Sequence, residues 1–333
     1  MINDAATGMI SSEEADAFRE DGWMAADLHV HTLFSSDVIP VSSLRPMKLF
    51  QKAREKRMDF ITFTDHDTMA AYHSISPRLE GLVSGVEIKI KDMECVGHTI
   101  HINVYELDVC QFQELENIAM QGDLHSFLDF LKSEKLPLVY NHPLWFEAGE
   151  KPNLAVIPDL IKLFPVLEYN MHRIRRKNEI IMELARRYEK GLIASTDTHS
   201  GMIGHAYTLS KGNDFKEFYN NVCRGKSNIV VKDLTKQYLI QEMNAWLDMM
   251  SNQDMILKNK KICTGMRYLD KFIDIMSSQK FREFPRMYAA ALSGVYKAAN
   301  SGLPAALYIR QECSSALEME KVLGSNCGQF GSI

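Results

Sequence analysis

The segment Ala25-Ala26-Asp27-Leu28-His29-Val30-His31-Thr32 places two imidazoles two residues apart at the end of an apolar run. On a β-strand such a pair points the same way, with Cβ atoms roughly 6.5 Å apart, so both can grip one metal ion from one side. Similar runs downstream end in further donors: Asp65-His66-Asp67, Gly85-Val86-Glu87, Asn141-His142-Pro143, Glu168-Tyr169-Asn170 and Ser195-Thr196-Asp197-Thr198-His199. In the last of these, Asp197 and His199 repeat the spacing of the opening pair. His98 and His101 are an odd number of residues apart, which sends them to opposite faces of a strand. The pattern Ile100-His101-Ile102-Asn103-Val104 selects His101 for the inward face. These donors are too many for one ion. Imidazole and carboxylate without thiolate suit zinc, manganese or iron, two or three ions together. Such a cluster binds a phosphate across the gap between cations, makes hydroxide from water at neutral pH and stabilises charge on a leaving oxygen. Glu87, with two donor oxygens, could bridge two of the ions.

The elements that must hold these residues alternate. Strand-like runs at Met24–Val30, Phe60–Thr64, Val83–Ile88, Ile100–Leu107, Leu138–Tyr140, Val166–Tyr169 and Leu192–Ser195 are separated mostly by helical patterns, among them Leu44–Lys56, Leu124–Ser133 and Arg175–Arg187. Strands alternating with helices predict parallel pairing and an α/β architecture, with the chemistry at the strand C-termini. Residues 1–23 read as an N-terminal extension carrying a helix from Ser12 to Glu20, and 24–232 as the α/β unit. From 233 to 333 four stretches, Leu234–Met250, Arg267–Ser277, Phe284–Ala299 and Leu303–Val322, show only helical spacing, followed by a tail from Gly324 to Ile333.

DLHVHT, FTDHDT, GVE, a later His, NHP and STDTH, in that order, resemble the PHP family, named for polymerase and histidinol phosphatase. The resemblance spans roughly Met24 to Lys232. It implies a distorted seven-stranded (β/α)7 barrel, here with an appended C-terminal helical region, and a di- or trinuclear metal site serving phosphoester hydrolysis. It also implies the ligand sets: His29, His31, Glu87 and Asp197 on one ion, Glu87 bridging to a second held by His101 and His142, and Asp37, His66 and His199 on a third. In Ser35-Ser36-Asp37-Val38 the acid stands one position later than in many members and lacks a following glycine, so Asp37 could instead cap the turn.

Around this set, Asp65 reads as a carboxylate supporting the ligands, and Asp67 as a cap for the helix after it. On a helix Arg173, Arg176 and Lys177 share a face, from which a guanidinium would clamp a phosphate at the mouth. His172 and His205 are candidate acids or phosphate contacts. The net charge of −5 gives no basic field for gathering nucleic acid, so the expected partner is a small phosphorylated molecule. No run reaches the roughly 18 apolar residues of a membrane span, and the acidic start lacks a signal-peptide pattern, so the cytoplasm is the expected compartment. The reading is a metal-dependent phosphoric ester hydrolase acting on a phosphomonoester of a small metabolite or nucleotide through a metal-bound hydroxide. His142, Glu87 and Asp197 are its central residues, with Asp197 orienting the nucleophile or taking its proton. Its rivals are a phosphodiesterase or 3′–5′ exonuclease and a non-catalytic metal-binding scaffold.

Overall fold

The structure, a computed structural model, describes residues 7–76, 79–251, 256–257, 260–264 and 267–325. The expected tail beyond 325 lies outside them. In chain order the strands are β1 (Gly8–Ile10), β2 (Met24–Val30), β3 (Phe60–Phe63), β4 (Leu82–Val83), β5 (Gly85–Asp92), β6 (His98–Tyr105), β7 (Leu138–Tyr140), β8 (Val166–Asn170), β9 (Gly191–Ser195), β10 (Ala206–Ser210) and β11 (Ser227–Val231). All of the expected strand runs are present, as β2, β3 and β5 to β9. Strands β1, β10 and β11 were not expected, and the expected run Val83–Ile88 is divided between β4 and β5.

These strands form two sheets, ordered β1-β11-β10-β2-β3-β4 and β5-β6-β7-β8-β9. Isolated bridges, Val30 to Thr198 and His66 to Glu87, join the sheets beside the candidate site. The described hydrogen bonds therefore build a mixed α/β body from two sheets and do not close the expected seven strands into one barrel. Nor is the pairing all parallel: β6 runs antiparallel to both β5 and β7, and β10 antiparallel to β2. The cause at β5–β6 is the connection, residues 93–97, far too short for the crossover that parallel neighbours need. His101 consequently reaches the site from the middle of a reversed strand, paired across from Lys89.

Strand β2 explains why the opening motif holds its place. From Ala25 to Val30 every residue is buried, with Ala26, Leu28 and Val30 alternating with Asp27 and His29. Ala26 and Leu28 pack with Tyr105, Val139, Val166 and Ile193, whereas Val30, beyond a register shift after Asp27, packs with Ile39, Val41 and Phe63; burying a large apolar side chain contributes about 1.5–3 kcal/mol. Burial requires that the polar residues find partners: Asp27 accepts from the amide and hydroxyl of Thr196, and His29 Nδ1 meets Glu168.

The helix Ser12–Glu20 begins at a capping box, Ser11 accepting from the Glu14 amide while Glu14 accepts from the Ser11 amide. The C-terminal helices Lys236–Ser251, Arg267–Ser277, Pro285–Asn300 and Leu303–Ser325 lie where helical spacing predicts them. The first three share the core of the first sheet, where Leu247, Met250, Ile273, Met276 and Ala299 pack in one cluster with Ile39, Val41, Leu44 and Phe63, while Met319 and Leu323 of the last belong to the cluster that holds Ile88, Ile102 and Leu167 of the second. No described helix is long and apolar enough to cross a membrane.

Candidate metal centre

His29 and His31 leave β2 with their Nε2 atoms 3.1 Å apart. Glu87 Oε2 lies 3.1 Å from the first and 3.4 Å from the second. Asp197 Oδ1 lies 3.3 and 3.2 Å from the same two nitrogens. Four ligands at the 2.0–2.1 Å of a tetrahedral zinc site stand about 3.3 Å from one another. These five distances thus have the length that ligands of a shared ion require.

The second oxygen of Glu87 serves the other side. Oε1 lies 2.9 Å from His101 Nδ1 and 3.3 Å from His142 Nε2, and it accepts a hydrogen bond from Asn141 Nδ2 at 2.9 Å. Toward the surface, Asp37 Oδ2 lies 3.1 Å from His66 Nε2 and 2.7 Å from His199 Nε2. His66 Nδ1 is 3.1 Å from Glu87 Oε2, yet it is buried and makes no hydrogen bond. Two lone pairs aimed at a third atom would sit so. The donor set therefore fits several metal ions, with Glu87 between the first two groups.

The far side of four of the rings is fixed as well. His29 Nδ1 donates to Glu168 Oε1 at 2.7 Å, His199 Nδ1 to the Asp197 carbonyl at 2.9 Å and His101 Nε2 to Glu147 Oε1 at 3.3 Å, while His31 Nδ1 meets Ser35 Oγ at 3.1 Å. These partners choose the tautomer and turn the other nitrogen toward the cluster. Glu168 appears in the sequence as a strand-end donor without a role; its part as the His29 partner emerges only here. Glu147, in the turn after β7, carries no signal of period or spacing. Backbone strain is concentrated at the same place: Asp197 has φ +48° and His142, just before Pro143, has φ +27°. Non-glycine residues held there cost about 1–3 kcal/mol each and persist where the surroundings demand it.

Electrostatics follow from the crowding. Burial opposes charge on Glu87, but His66, His29 and His101 outweigh it and hold the carboxyl well below its ordinary value. Burial likewise opposes charge on Asp37 and Asp197, and the imidazoles around each keep them anionic. In the absence of ions, burial disfavours a proton on His31, yet Asp197 and Glu87 raise its pKa to about 10. Burial leaves His66 the opposite way, at about 4.

The structure thus gathers His29, His31, Asp37, His66, Glu87, His101, His142, Asp197 and His199 around one centre. His98 turns instead against Phe146. Asp65 touches no ligand ring; it accepts from the amide and hydroxyl of Thr32, both at 2.6 Å, and so braces the turn after His31. Asp67 does not cap a helix but accepts from the Lys89 amide at 3.2 Å. Of the basic face, only Arg173 is at the centre, its Nη2 4.0 Å from Asp197 Oδ2 and its guanidinium 5.2 Å from the Trp145 ring. The helix starts at Arg175, beyond it. Arg176 turns to Glu320 through two hydrogen bonds of 2.6 Å, and Lys177 to Glu312 at 3.0 Å, because the helix Leu303–Ser325 lies alongside and supplies both acids. His172 is held by Tyr238 Oη at 3.3 Å. His205 lines a separate cavity that contains none of the metal-binding donors.

Fold and site together define a protein built to hold metal ions on histidine and carboxylate. The chain belongs to the PHP domain family, whose sequence profile matches residues 27–257. Among solved structures it is similar to PsfC from Pseudomonas syringae PB-5123, with 13% identity and a TM-score of 0.47, covering 63% of this chain and 92% of that one. It is also similar to the lesion-specific endonuclease PfuEndoQ from Pyrococcus furiosus, with 13% identity and a TM-score of 0.45, covering 62% of this chain and 57% of that one. A curated relative, uroporphyrinogen decarboxylase from Cereibacter sphaeroides, is 22% identical over 200 residues, 58% of this chain. The chain spans about half, 54%, of that relative's length.

Proposed function

We propose that the protein is a metal-dependent phosphoesterase that hydrolyses a phosphomonoester of a small metabolite or nucleotide. The observation that carries this reading is the placement of Glu87 between two donor groups, one oxygen toward His29 and His31 and the other toward His101 and His142. His29, His31, Glu87 and Asp197 would hold one ion, Glu87, His101 and His142 a second, and Asp37, His66 and His199 a third. Divalent ions held there supply Lewis acidity toward phosphoryl oxygens and lower the pKa of water.

The chain's own residues do the rest. Arg173 presents two guanidinium nitrogens to the phosphate and neutralises part of its charge. Its Nη2 lies 4.0 Å from Asp197 Oδ2, within reach of a phosphate held at the donor cluster. Asp197 accepts from Asn170 Nδ2 at 2.9 Å on the oxygen that faces Arg173, so this carboxylate is oriented to direct the attacking water and receive its proton. Water adds to phosphorus as the ester P–O bond breaks, and the products are the alcohol and inorganic phosphate.

The test supplies zinc, manganese or iron(II) and compares a generic phosphomonoester, a diester and a short oligonucleotide. Monoester turnover should lead. His142→Ala and Asp197→Asn should each lower it by orders of magnitude with an unchanged circular dichroism spectrum. Wild-type turnover in either variant, or faster diester cleavage, refutes the assignment.

A further inference from the structure

A second concave feature lies away from the metal-binding donors. It is a cavity of about 290 Å³ between the helix Ser12–Glu20, the end of the helix Pro46–Glu55 and strands β10 and β11. Four cations line it, Arg19, Lys56, Arg57 and Lys232, against one carboxylate, Asp16. Asp16 is already engaged, 2.9 Å from Arg57. Arg19 donates to the Arg57 carbonyl and lies over the Tyr207 ring at 5.2 Å. Lys56 and Lys232 pair with no carboxylate among the described residues. Into the same space comes His205, whose Nδ1 is buried and has no hydrogen-bond partner.

This concentration of unanswered positive charge occurs in a chain of net charge −5. Like charges so placed repel one another and destabilise the compact state unless an anion answers them. The imidazole registers the field: burial first, then Lys232, Lys56 and Lys52, drive His205 down to about 4.

We propose that this cavity is a second anion site, separate from the metal centre, which takes the phosphate group of a small molecule. Lys56 and Lys232 are its ionic contacts, and His205 stands in its wall beside them. A phosphate carries enough charge and acceptors to bridge both lysines, which a chloride does not. The cavity volume, at the lower edge of the usual range of about 300–1,000 Å³ for small-molecule sites, accommodates inorganic phosphate or pyrophosphate.

The experiment uses zinc-loaded protein with labelled histidines, titrated with inorganic phosphate and then pyrophosphate at constant ionic strength, the imidazole resonances being followed by NMR. The His205 signal, identified by its loss in His205→Gln, should shift saturably, and it should do so equally in Arg173→Gln, which perturbs only the metal centre. Lys56→Gln and Lys232→Gln should each weaken this binding about tenfold. Both lysines are exposed, so these changes leave the core intact. The Lys56→Arg/Lys232→Arg protein should retain binding. The proposal is overturned if wild-type His205 shows no saturable shift, if chloride reproduces the shift, or if both glutamine variants bind as wild type does. A His205 response to a short oligonucleotide but not to phosphate or pyrophosphate would overturn it too, assigning the surface to a polymer backbone.

Discussion

Glu168→Gln isolates the support of the metal centre from the ligands themselves. Glu168 is buried and accepts four hydrogen bonds: from His29 Nδ1 at 2.7 Å and Ser195 Oγ on one oxygen, and from the His142 amide at 2.8 Å and Asn170 Nδ2 at 3.1 Å on the other. Burial opposes its ionisation, but His29 beside it more than compensates and keeps it an anion. Glutamine has nearly the same shape but only one acceptor oxygen. If that oxygen stays on His29, the new NH2 faces the His142 amide and the Asn170 amide, donor against donor. At least one buried donor then goes unmet, which is unfavourable by about 1–3 kcal/mol. If glutamine flips, His29 loses its partner and with it the fixed tautomer. Either way the centre should lose metal affinity by about 10–100-fold, the usual effect of removing such a support. Competition with a chromophoric chelator gives the zinc Kd, and elemental analysis of the dialysed protein gives the ion count. Melting of the metal-free proteins separates a general loss of stability. Zinc affinity within about twofold of wild type, with the same ion count, would refute the argument that the Glu168 charge sets the orientation of His29.

Metal uptake should release protons, because His31 has its pKa raised to about 10 in the ion-free centre and so carries a proton at pH 7. A proton that the metal must displace makes apparent affinity rise about tenfold per pH unit below that pKa, and chelator competition at pH 6, 7 and 8 will show a flat profile if the reasoning is wrong. Lys260 donates to the carbonyls of Leu33 and Val38, both at 2.9 Å, and of Ser35, so it clamps the turn that carries Asp37. Lys260→Met should therefore lower the Tm by roughly 3 °C and remove one ion per chain; an unchanged ion count would sever the link to Asp37. Lys177 and Glu312 form a largely buried ion pair between two helices. Glu312→Gln alone should destabilise by about 3 kcal/mol by stranding the ammonium, and Lys177→Met/Glu312→Met by clearly less; equal losses in denaturant titrations would count against that account.

Much of this centre is legible in the sequence, because strand ends and i, i+2 spacings are local. His29 with His31, and Asp197 with His199, follow from alternation along one strand. His101 was also legible, since alternation around Ile100 and Ile102 separates it from His98. The reversal of β6 was not drawn from the runs alone, although the five-residue connection 93–97 excludes a parallel crossover. Strands β10 and β11 escaped because they pair antiparallel with each other, and β10 antiparallel with β2, outside the parallel helix–strand alternation on which the reading rests. For Arg176 and Lys177 the local reading, a basic helix face, was sound as far as it went. What it lacked was the acidic partners, Glu312 and Glu320, more than a hundred residues away.

By itself the sequence determined the kinds of donor, the elements that carry them, their order along the chain and the family. Those properties depend on residue type and on short-range period, which each segment states independently of its neighbours. Only the tertiary structure decided which oxygen of Glu87 faces which imidazoles, that Glu168 stands behind His29, that Arg173 alone of its basic cluster meets the centre, and that His205 belongs to a different cavity. These are distances between segments. They are set by how two sheets and the C-terminal helices pack against one another, and a periodicity along one strand contains no record of what lies across from it.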